Sequence, residues 1–172
     1  GPEVVAANMA QAAKDIGAKY AILTAIHTGG ALTVLFPTQN PTFYHKTKGD
    51  YVGEFIKACN AREIKPFLYL PMGFGGWDAQ PYGPCIDPEV GKLGFPGYYT
   101  LLCELIKEIY DRYGKALAGL WLDGRPEFGM ERIPAYIRSL WGDDIIITNN
   151  AAAELDVPET DFGTSEEHED PC

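Results

Sequence analysis

The side chains best suited to chemistry in this sequence stand just beyond apolar runs. Asp123 ends the run GLWLDG (119–124), with Trp121 before it and Gly124 after it. His27 follows YAILTAI (20–26), Phe74 and Trp77 lie in the glycine-rich MGFGGWD that extends KPFLYLPM (65–72), and Asn149 and Asn150 close DIIITNN. Three acids, Glu159, Glu166 and Glu167, come later on one loop. A carboxylate at a strand end, beside a glycine that lets another group approach, suits a nucleophile poised beneath a sugar ring. A second carboxyl group would then serve as general acid and base. Phe74 and Trp77 offer aromatic faces for the apolar side of such a ring, or equally for packing under their own loop. Asp123 has a structural alternative as well: capping the following helix or pairing with Arg125. His45 and His168 are loop histidines with weaker claims.

These residues need elements to hold them, and the hydrophobic period alternates between helical and strand-like along the chain. Residues 3–16 read as a helix with Val4, Val5, Met9, Ala12, Ala13 and Ile16 on its apolar face, stopped by Gly17. The spacing predicts further helices over 50–63, with Asp50 as N-cap, over 97–113, stopped by Gly114, and near 130–141. Strands are predicted at 20–26, 65–72, 117–123 and 144–149. Tyr98, Tyr99, Tyr110 and Tyr113 fall within a helix and are assigned to packing.

The order is αβαβαβαβ, with strands that are almost continuously apolar, as in a parallel sheet covered on both faces. Loops after the strands (27–49, 71–96, 150–172) are long and loops before them short, the asymmetry of a TIM-type (β/α)8 barrel with its site at the strand C-termini. The expected fold is therefore α/β, one domain over 3–172, with about four strands of such a barrel. A small doubly wound parallel sheet is the alternative, although neither GxGxxG nor GxxxxGK[ST] is present. A complete barrel takes about 250 residues. Four strands leave sheet edges and interior positions uncovered, so the expectation is self-association or packing against the missing remainder of a barrel.

Composition excludes several partners. With a net charge of −10 and no Lys/Arg block, the chain is unsuited to nucleic acid or an anionic membrane surface. No apolar window approaches a transmembrane span and no secretory leader opens the sequence, which reads as a soluble form, mature or trimmed. Gly1-Pro2 has the form of a tag-cleavage remnant. Cys59, Cys85, Cys103 and Cys172 show no metal-ligand spacing, and Cys59 and Cys103 fall on apolar helix faces as buried thiols. No metal and no cofactor is expected.

The succession AKDIGAKYAILTAIH, GDYVGEFIKACNAREIKPFLYL, YYTLLCELIKEIYDRYGKALAGLWLDG and PETDFGTSEE resembles the central part of the family 29 α-L-fucosidases, from about residue 8 to 167. The resemblance implies retaining hydrolysis of α-L-fucosides of glycans through a covalent glycosyl-enzyme intermediate. It places Asp123 at the family's nucleophile and His27 at the first of two histidines that contact fucose hydroxyls. Glu166 takes the place of the Glu in a TPE-like segment and is assigned the acid/base role on that ground. Thr28 stands where the family has its second His, and Gly29-Gly30 replaces Asp-Gly. The family's N-terminal His-Trp-Gly strand and the C-terminal part of its barrel are absent from these residues. The alternative implied is a catalytically silent relative that binds fucose or a similar glycan. The resemblance also implies a secreted, lysosomal or periplasmic setting.

Overall fold

The structure, a computed structural model, describes residues 1–27, 33–43, 45–72, 94–124, 130–150 and 158–164, with side chains from residue 97 onward in the fourth stretch. Its elements in chain order are α1 (Pro2–Asp15), β1 (Tyr20–Thr24), β2 (Thr33–Val34), β3 (His45–Lys46), α2 (Tyr51–Asn60), β4 (Lys65–Pro71), α3 (Gly94–Tyr113), β5 (Gly119–Asp123), α4 (Ile133–Trp141), β6 (Ile146–Asn150) and β7 (Phe162–Gly163). Local chemistry sets several boundaries. Pro2 occupies the start of α1, where its missing N–H costs nothing. Asp50 caps α2, its Oδ1 accepting from Gly53 N at 2.8 Å. Gly17 and Gly114 end α1 and α3 at φ of 77° and 46°, a conformation that disfavours any residue with a Cβ.

Five strands form one parallel sheet in the order β1-β4-β5-β6-β7. Among the described residues the order never reverses and shows no switch point, so the sheet follows the barrel-type order rather than the doubly wound alternative. What remains is a contiguous arc of a TIM-like barrel, with α2, α3 and α4 as the crossover helices between β1 and β4, β4 and β5, and β5 and β6. The expected strands are present, and β7 adds a fifth inside what the sequence presents as a loop. β2 and β3 make a separate two-stranded parallel ladder within the loop after β1. Two-residue strands are too short to carry a period-2 signal.

The two faces of the sheet differ. Leu23, Leu68, Leu70, Leu120, Leu122 and Ile147 point toward the helices and join one core with Leu101, Leu102, Leu105, Ile106 and Ile109 of α3. Burying each such side chain contributes roughly 1.5–3 kcal/mol. By register, Ile22, Phe67, Tyr69, Trp121, Asp123, Thr148, Asn150 and Phe162 share the opposite face. That face is open at both edges: Tyr20, Ile22 and Phe162 are 52%, 38% and 46% exposed. The expectation of two covered faces therefore fails at β1. It fails at α1 too, where Ala6 and Ala10 are buried and Val4, Val5, Met9 and Ile16 are exposed. Small alanines let α1 lie close to α2, and the larger apolar residues are left on the side where no element packs among the described residues.

Cys59 is fully buried on α2, as its apolar setting predicts, and Cys103 is half-buried; both are free thiols. Burial pushes the Cys59 thiol from the ordinary 9.0 to about 11, against a smaller opposing pull from Arg62. The folded state thus holds a proton that the unfolded chain releases above pH 9. Its contribution to stability is complete below pH 9 and is lost as pH rises toward about 11. Iodoacetamide at pH 8 should leave Cys59 unmodified in the native protein and modify it in urea, as peptide mass mapping would show. Rapid native labelling at pH 8 would contradict the burial argument.

Candidate active site

β4, β5 and β6 run parallel, so their C-termini lie along one rim. Their last inner-face positions are Pro71, Asp123 and Asn150, paired across the sheet, with Tyr69, Trp121 and Thr148 one step below. This register brings hydrogen-bond donors to both oxygens of Asp123. Tyr69 Oη donates to Oδ2 at 2.5 Å, and Asn150 Nδ2 donates to Oδ1 at 3.0 Å. Thr164 Oγ1, just past β7, donates to Asn150 Oδ1 at 3.0 Å. The backbone carbonyl of Asp123 accepts from Met72 N at 2.6 Å, which ties the two strand ends together. Asp123 is half-buried. Its carboxylate is held from two sides while part of the residue stays exposed.

Aromatic rings extend the site. The His27 ring stacks on Tyr69 with centroids 5.6 Å apart and planes at 19°, and Tyr69 meets Trp121 at 5.4 Å. His27, Tyr69 and Trp121 thus form a row beside the carboxylate, with apolar faces and polar tips. Tyr98 braces the row from the helix side. It is buried, donates its hydroxyl to Pro71 O at the end of β4, and burial holds its phenol well above the usual range.

Of the residues singled out in the sequence, the structure brings His27 and Asp123 to one rim, joined through Tyr69. Trp77, Phe74, Glu166 and Glu167 lie outside the described residues, as do Cys85, Cys172, His168 and Arg125. Glu159 is exposed at a turn with φ of 67°, and His45 is exposed on β3. Tyr98, Tyr110 and Tyr113 pack as expected: Tyr110 meets Trp141 edge-on at 4.8 Å, and Tyr113 Oη donates to Asp50 at 2.7 Å. Sequence reasoning missed Tyr69 and Thr164. Tyr69 carried a readable signal, because it alternates with Leu68 and Leu70 and so shares a face with the strand end. Among the described residues, no three His, Cys, Asp or Glu side chains cluster as metal ligands, and no helix is long and apolar enough to cross a membrane.

Among solved structures, the chain is similar to a family 29 α-L-fucosidase from Bacteroides thetaiotaomicron, captured as a covalent intermediate with 2-fluoro-fucosyl fluoride. The TM-score is 0.62 at 21% identity, over 83% of this chain and 34% of that one. Alpha-L-fucosidase isoenzyme 1 from Paenibacillus thiaminolyticus gives 0.62 at 23% identity, over 83% of this chain and 37% of that one. The chain thus spans about a third of the length of these relatives. A search of curated proteins by sequence returned no match. The family model described as alpha-L-fucosidase matches residues 5–168, nearly the whole chain, and on that match the chain belongs to the alpha-L-fucosidase family.

Proposed function

We propose that this chain is the nucleophile-bearing part of a retaining glycoside hydrolase acting on α-L-fucosides. The observation that carries the reading is the Asp123 carboxylate, fixed by Tyr69 and Asn150 on a rim beside His27 and Trp121. In the first displacement an Asp123 oxygen attacks the anomeric carbon and the glycosidic C–O bond breaks. A protonated carboxyl group, assigned to Glu166, gives its proton to the departing oxygen. In the second, the same group, now a carboxylate, takes a proton from water as the water displaces Asp123. His27 orients sugar hydroxyls, and the Trp121 face, together with Phe74 and Trp77, packs on the apolar side of the ring. The substrate is a fucosylated glycan or small fucoside. A retaining pair requires the Asp123 and Glu166 carboxyl groups to come within about 5–5.5 Å of each other.

The open inner face fits the same reading. In an eight-stranded barrel, Tyr20, Ile22 and Phe162 would pack against further strands. Thr28 in place of a second histidine favours a second reading, a silent relative that binds fucose without turnover. Incubation with 2-deoxy-2-fluoro-fucosyl fluoride and peptide mapping separates the two. The hydrolase reading predicts a fluorofucosyl adduct on Asp123. Binding of fucose with no adduct would leave the binding protein, and an adduct on another carboxylate would remove Asp123 from the nucleophile's role.

A further inference from the structure

We propose that Thr164 is a positioning residue for Asp123 and acts through the Asn150 carboxamide, an inference that rests on the nucleophile reading of Asp123. The two-residue strand β7 pairs only Phe162 and Gly163 with β6, yet it is pinned at both ends. On one side, Asp161 N donates to Ile147 O at 2.7 Å. The Asp161 carboxylate in turn accepts from Ile147 N at 2.7 Å and from Arg138 Nη2 at 2.8 Å. On the other, Thr164 N donates to Asn149 O at 2.9 Å. These bonds hold the residue that follows β7 within reach of the rim, and there Thr164 Oγ1 donates to Asn150 Oδ1 at 3.0 Å.

A carboxamide has one accepting and one donating end, and only the donating end can serve Asp123. With Oδ1 occupied by the Thr164 hydroxyl, Nδ2 faces Asp123 Oδ1 at 3.0 Å. Turned over, the carboxamide would set its oxygen against a carboxylate oxygen, two acceptors without a proton between them. The acceptor-only carboxylate of Asp123 sets this orientation, and the Thr164 hydroxyl, by donating to Oδ1, anchors the carboxamide in it, so that the carboxylate is held from both sides with Tyr69 supplying the other donor at 2.5 Å. Serine keeps the hydroxyl, whereas valine keeps the shape and β-branching but not the donor.

The test compares Thr164→Val with Thr164→Ser. In a preparation that hydrolyses an aryl α-L-fucoside, Thr164→Val should lower kcat on the order of 10-fold, the effect of losing one hydrogen bond in the alignment of a reacting group. KM should change little, and Thr164→Ser should restore most of kcat. In a preparation without turnover, the same pair is read on the Asn150 side-chain amide by NMR: the valine variant should shift the Nδ2 protons and the serine variant should not. Unchanged kcat or unchanged amide resonances in Thr164→Val would overturn the proposal. So would a loss in both variants that tracks their thermal midpoints, since that marks a merely structural role. Fluorofucosyl labelling of Asp123 reports separately on the nucleophile reading, so either idea can fail alone.

Discussion

Asp123→Asn is expected to lower hydrolysis of an aryl α-L-fucoside by at least about 10³-fold, roughly 4 kcal/mol on the barrier, with the fold intact. The asparagine side chain keeps the shape of the carboxylate. Its remaining oxygen can still accept from Asn150 Nδ2, and the Tyr69 hydroxyl, which donates to Oδ2 in the parent chain, can turn to accept from the new amide. What disappears is the anionic oxygen that the proposed mechanism uses as its nucleophile. Fucose affinity should persist, because His27, Tyr69 and Trp121 keep their places in the row. Measured kcat, KM and the thermal midpoint separate these contributions. Turnover close to that of the parent would remove Asp123 from the chemistry and leave its hydrogen bonds as structural fastenings of the strand ends.

Gly119→Ala should destabilise the chain by about 1–3 kcal/mol through overpacking. Gly119 faces Phe67 across the β4–β5 ladder, and a Cβ there would lie closer than 3.0 Å to three carbons of the Phe67 ring. The ring cannot swing away freely, since Tyr20 packs on it with centroids 5.3 Å apart and Phe67 is only 3% exposed. For a chain of this size the thermal midpoint should fall by roughly 3–10 °C. Phe67→Leu in the same chain should recover part of the loss, because removing the ring edge vacates the space the methyl needs. A single variant as stable as the parent, or a double variant whose losses add, would show that the close approach of Phe67 to this backbone is not what requires glycine.

The glycine also shows how far the sequence can be read. GLWLDG announces a buried strand that ends in an acid, and the structure has that strand and that acid at its rim. Nothing in those six letters says that Phe67, 52 positions earlier, needs the first of them to lack a side chain. Likewise the periodic spacing within α3 marks Leu101, Leu102, Leu105, Ile106 and Ile109 as core, and all five are buried. The same rule applied to α1 selects Val4, Val5, Met9 and Ile16, and these are exposed while Ala6 and Ala10 are buried. Periodicity reports that a helix has an apolar side. Which side meets a neighbour depends on the neighbours present, and α2 takes the alanine side.

The sequence by itself determined the alternation of helix and strand, the parallel arc that follows from it, the capping by Asp50, and the placing of His27 and Asp123 at strand C-termini. Each of these depends on residues within a few positions of one another, or on the rule that a strand, a helix and the next strand return in parallel. Only the tertiary structure decided that Tyr69 and Asn150, 54 and 27 positions away, grip the two oxygens of Asp123, and that Thr164 reaches Asn150 from just beyond a two-residue strand. Hydrogen bonds of this kind depend on the register between strands, and register is set by the whole packed sheet.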